Sequence, residues 1–84
     1  MRELQIVMRN AQVLGVPEEE FVGFSTLTEG GYFTDMTTCS LDRLQELLEL
    51  HTVLITRLTP DGIITFTIRP ESFFYTQLID VKED

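Results

Sequence analysis

The chain has 84 residues, and 14 Asp and Glu against 6 Lys and Arg leave a formal net charge of −8. That length holds one small domain, with no room for a cofactor-binding half beside a substrate half, and so acidic a surface argues against direct nucleic-acid binding. No apolar run nears the roughly 18 residues of a membrane span, and MRELQIVMRN lacks the apolar stretch of a secretory signal, so a cytoplasmic protein is expected.

Leu4, Val7, Met8, Ala11 and Leu14 recur at the spacing of one helix face, with Gln5, Arg9 and Gln12 opposite. Gly15 and Pro17 would stop such a helix, so the spacing predicts one over 3–14. Pro17-Glu18-Glu19-Glu20 suits a short helical turn, because carboxylates complement the positive end of a helix. Residues 21–28 and 32–38 read as strands flanking Glu29-Gly30-Gly31, a hairpin signal. In 41–50 the leucines Leu41, Leu44, Leu47 and Leu48 share a face, Asp42, Glu46 and Glu49 lie opposite, and Ser40 is placed as N-cap. A second hairpin is predicted from 53–58 and 63–68 around Thr59-Pro60-Asp61-Gly62, with Ile64, Phe66 and Ile68 inward and Thr65, Thr67 and Arg69 towards water. Residues 73–81 alternate as a strand would but also suit a helix begun by Pro70-Glu71-Ser72; aromatic and branched content favours the strand. Residues 81–84 are expected to fray.

These elements predict a single α+β domain over 1–84. Two hairpins and a C-terminal strand would form one antiparallel sheet packed by two helices, in the order α-β-β-α-β-β-β, with the leucine face of 41–50 across the sheet.

Little in the chain suggests chemistry. Cys39 and His51 are single residues of their kinds and bracket the 41–50 helix. Ten helical residues span about 15 Å, which forbids a shared hydrogen bond and hence a thiol–imidazole dyad. Cys39 then reads as a small hydrophobe and His51 as a capping or packing residue at a helix C-terminus. One Cys and one His cannot build a structural zinc site, and neither a calcium loop nor a phosphate-binding glycine loop occurs. The expectation is a protein without catalytic residues, cofactor or metal.

The stretch Ala11-Gln12-Val13-Leu14-Gly15-Val16-Pro17-Glu18-Glu19-Glu20-Phe21 resembles the middle of a helix-turn-helix: a small Ala, Leu-Gly-Val at the turn, and an apolar residue in the second helix. The resemblance implies that residues near the turn enter a major groove. Here those would be Glu18, Glu19 and Glu20, which phosphates repel, and Gly23 with the strand-like residues after it truncates the second helix.

No Lys or Arg falls between Arg9 and Arg43, a stretch holding Glu18, Glu19, Glu20, Glu29, Asp35 and Asp42. Closely spaced carboxylates can imitate the phosphates of a nucleic acid and steer a protein onto a basic groove. The expected function is therefore a small regulator or inhibitor that docks Glu18, Glu19, Glu20, Asp42, Glu46 and Glu49 onto the basic surface of a protein partner. Solubility is the plainer account of the same charge. The alternative is a homodimeric assembly or accessory subunit, binding through a strand edge and exposed aromatics drawn from Tyr32, Phe33, Phe73, Phe74 and Tyr75.

Overall fold

Leu4, Ile6 and Met8 alternate with Glu3, Gln5 and Val7, and the chain there is strand β1 (Arg2–Met8), not the first half of a helix. It turns at residues 9–12 and returns as β2 (Val13–Pro17), pairing antiparallel with Leu14 opposite Ile6 and Val16 opposite Leu4. The helix expected over 3–14 is corrected by the turn between the two halves. Asn10 Oδ1 accepts from the Gln12 amide at 2.9 Å, an Asx turn, and Ala11 takes a left-handed φ of 72°. Asn10 and Gln12 thus sit in the turn instead of interrupting an inward face. The helix-turn-helix likeness falls with the same observation, since Val13–Pro17 is extended. The computed structural model describes residues 2–38 and 41–80; Cys39, Ser40, residues 81–84 and the side chains of Leu41 and Asp42 lie outside that description, together with the N-cap and frayed tail expected there.

Glu18–Glu20 forms one 3-10 turn, as its composition suggested, and leads into β3 (Phe21–Thr26). The predicted partner strand over 32–38 is reduced to two isolated bridges, Leu27 with Phe33 and Phe24 with Thr37. Between them the register slips by one residue, and that extra residue breaks the ladder as a bulge does. Gly23 is required at this crossing: a Cβ there would lie 2.7 Å from both Met36 Cγ and the Thr37 carbonyl.

Helix α1 (Leu41–Leu50) stands where its leucine spacing places it, with Leu44 and Leu48 buried and Arg43, Glu46 and Glu49 exposed. The second hairpin is also as predicted: β4 (Val53–Thr59) and β5 (Gly62–Ile68) pair in unbroken register from Val53–Ile68 to Thr59–Gly62. Gly62 closes it at φ 136°, a conformation costly for any side chain. Gly62→Ala should therefore destabilise the fold by at least about 1–2 kcal/mol, read as a drop of about 4 °C or more in Tm. After a 3-10 turn at Pro70–Ser72, β6 (Phe73–Asp80) is a strand, and it pairs with β1.

The single sheet packed by two helices is thereby corrected to two three-stranded antiparallel sheets, β2-β1-β6 and β3-β4-β5, with one helix, in the order β-β-β-α-β-β-β. The sheets differ from the expectation because β6 closes on the N-terminal strand instead of extending the β4–β5 hairpin. One core joins them: Leu4, Ile6, Val16 and Phe73 from the first sheet meet Phe24, Val53, Ile55 and Ile68 from the second, together with Leu44 and Leu48 of α1. Burying the apolar face of each sheet against the other and against α1 is the main stabilising term.

Candidate functional site

The acidic residues are placed first. Glu18 receives both Nε and Nη2 of Arg2, at 2.9 and 3.2 Å, an exposed pairing that raises the Arg2 pKa above its usual value. Glu20 accepts from Arg57 Nε at 2.8 Å in a partly buried pair. Glu46 pairs with Arg43 at 3.4 Å, Glu19 and Glu49 are exposed, and the Asp42 side chain lies outside the described residues. The Glu18–Glu20 turn follows β2 and contacts β1 and β4, whereas α1 packs against β6, at the opposite edge of the first sheet. The two acidic stretches are therefore carried by different edges, and three of their carboxylates face arginines of the same chain.

Two sheets have four edges, and a bare edge presents backbone groups that invite another chain. The β2 edge is short, ends in Pro17, and gives the Gly15 carbonyl to Arg57 Nη1 at 3.3 Å. The β6 edge is backed by α1, where Gln45 Oε1 accepts from the Thr76 amide at 3.2 Å and its hydroxyl at 3.1 Å. Along β3, Phe24 exchanges two 2.9 Å bonds with Thr37, while the Thr26 amide reaches Thr34 Oγ1 and its carbonyl takes the Thr34 amide. The chain thus bonds β3 at Phe24 and Thr26, β2 at the Gly15 carbonyl and β6 at Thr76.

The fourth edge, β5, is open. Because Phe24 and Thr26 bond outward from β3, the alternation of an antiparallel ladder assigns Val53, Ile55 and Arg57 of β4 to bonding β5, and with them Ile68, Phe66 and Ile64. The N–H and C=O groups of Ile63, Thr65 and Thr67 then point away from the sheet, and no bond to them is made among the described residues. The strand carries no charge and no proline from Gly62 to Ile68. Apolar side chains flank it on both faces. Ile63 (70% exposed) stands opposite Leu58 (52%) on the outer face; Ile64 (48%) lies on the inner face beyond the reach of the core, next to the partly buried Phe66. An open cleft of about 400 Å³ runs beside the turn, from Glu20 and Arg57 to Ile63 and Ile64.

The expected aromatic anchors divide. Phe73 is core, whereas Tyr32, Phe33, Phe74 and Tyr75 are exposed, the last two meeting edge-to-face at 5.0 Å. Sequence reasoning placed Thr65 and Thr67 on a water-facing side but did not single out β5 as the bare edge. The available signal was a run of branched residues without the lysine or proline that usually guards an edge. Among the described residues no group of three or more His, Cys, Asp or Glu could hold a metal ion, and no helix is long and apolar enough to cross a membrane. No family model, curated protein or solved structure matches the chain.

Proposed function

We propose that the protein is a binding module that takes up an extended segment as a fourth strand on β5, acting as an assembly or accessory subunit and not through chemistry of its own. The observation that carries this reading is the contrast between β5, uncharged, apolar-flanked and with none of its outward backbone groups bonded among the described residues, and three edges that the chain bonds at one or more residues. In strand addition the main-chain hydrogen bonds supply affinity and the flanking side chains supply selectivity. Ile63 and Leu58 on one face, with Ile64 and Phe66 on the other, would select branched or aromatic residues in the incoming strand. The competing reading, an acidic face docking on a basic protein surface, has less support because Glu18, Glu20 and Glu46 are already paired with arginines.

Seven-residue peptides selected from a display library on the full chain should be rich in branched and aromatic residues. Their binding should be abolished by Thr65→Pro and unchanged by Glu19→Lys combined with Glu49→Lys. Proline is tolerated at Thr65 because that N–H points outward, so the substitution removes an edge donor and not a bond within the sheet. Peptide binding that survives Thr65→Pro but is lost on charge reversal would move the site to the acidic residues.

A further inference from the structure

The sequence of β5 is complementary to itself, and we infer that the strand it receives is the β5 of a second copy of this chain. This rests on the open-edge reading above and names its occupant. Ile63, Thr65 and Thr67 carry the outward backbone groups, so a new antiparallel strand must offer its own outward residues opposite them. A second β5 does so about a two-fold axis at Thr65: Thr65 faces Thr65, Ile63 faces Thr67, and about six hydrogen bonds join the two strands. The intervening positions then pair Ile64 with Phe66 of the other copy as non-hydrogen-bonded neighbours, where side chains approach most closely. Ile64, which the core of its own chain leaves half exposed, is covered by this arrangement.

Charge selects the same register. Asp61 precedes β5 and Arg69 follows it, both exposed, and neither forms an ion pair among the described residues. The extended strand Gly62–Ile68 between them holds them on the order of 20 Å apart, too far to meet within one copy. In the arrangement centred on Thr65, the turn residue Asp61 of each copy comes to the same end of the ladder as Arg69 of the other, setting opposite charges at both ends. A shift of two residues in either direction loses both pairings and shortens the overlap. The two second sheets would join into one continuous six-stranded sheet, with a closed two-fold symmetry that leaves no β5 edge for further growth.

Sedimentation equilibrium on the full chain tests this. The expected result is a concentration-dependent dimer whose dissociation constant rises at least about a hundredfold in Thr65→Pro, the effect of proline at a ladder position. Asp61→Arg or Arg69→Asp alone should weaken association about tenfold, and the two together should restore it to within about threefold of the original. The charge variants lie at exposed ends of the strand, so they probe register without challenging the fold. A dimer indifferent to Thr65→Pro, or one the double exchange does not recover, would overturn the pairing. A monomer at every concentration would overturn it too; protection of the Ile63, Thr65 and Thr67 amides by a selected peptide would then show that the edge is receptive and that the second copy alone is wrong, whereas no protection would remove both readings.

Discussion

Phe24→Ala should destabilise the domain by about 3–5 kcal/mol, the usual cost of emptying a large aromatic site in a packed interior. Phe24 is 2% exposed, lies opposite Ile55 on the inner face of the second sheet, and belongs to the core that joins both sheets. A chain of 84 residues has a total stability on the order of 4–13 kcal/mol at the typical value per residue. The loss is therefore a large fraction of the whole, and the urea midpoint should fall steeply with an unchanged slope. Phe74→Ala is the control. That ring is 58% exposed, and its removal should cost no more than about 1 kcal/mol, chiefly the edge-to-face contact with Tyr75. Equal losses from the two substitutions would contradict the assignment of Phe24 to the core.

Arg57→Ala is expected to cost about 2–3 kcal/mol, because its guanidinium makes charge-assisted bonds that tie the two sheets together. From β4 it donates Nε to Glu20 at 2.8 Å and Nη1 to the Gly15 carbonyl of β2 at 3.3 Å, in partly buried surroundings. Glu20→Gln should cost less, since the amide oxygen still accepts from Nε. In a double-mutant cycle of Arg57→Ala with Glu20→Ala the combined loss should fall short of the sum by about 1–2 kcal/mol, as coupled neighbours do. Strict additivity in urea melts would mean that Arg57 and Glu20 act independently and that the pair is a surface ornament.

The elements that could be read correctly share a property: their signals are local. The leucines of 41–50 repeat at helical spacing over nearly three turns, and Pro60-Asp61-Gly62 supplies both the fixed φ and the positive φ that a tight turn between branched strands needs. Residues 3–14 went the other way because two patterns compete there. Leu4, Val7, Met8, Ala11 and Leu14 imitate a helix face, while the true signal, alternation restarted after an Asn10 turn, requires knowing where the turn falls. The 32–38 segment failed for a different reason. Its residues are strand-like, but the register slips between Thr34 and Thr37, where the chain crosses close over Gly23, and local composition carries no sign of that crossing.

The sequence by itself determined the composition of the β5 edge: a hairpin strand of branched and aromatic residues, uncharged, bounded by Asp61 and Arg69. It likewise determined the helix and the acidic stretches. Whether that edge stays open, and whether those carboxylates stay unpaired, depended on contacts between residues 16 to 42 positions apart: Arg2 with Glu18, Arg57 with Glu20 and Gly15, Gln45 with Thr76. Such contacts follow from which strand closes on which, and local periodicity carries no record of that choice, because β6 would show the same alternation beside β1 or beside β5. Only the tertiary structure decided it, by burying the apolar faces of both sheets in one core and leaving β5 paired with β4 alone, its outer edge unbonded among the described residues.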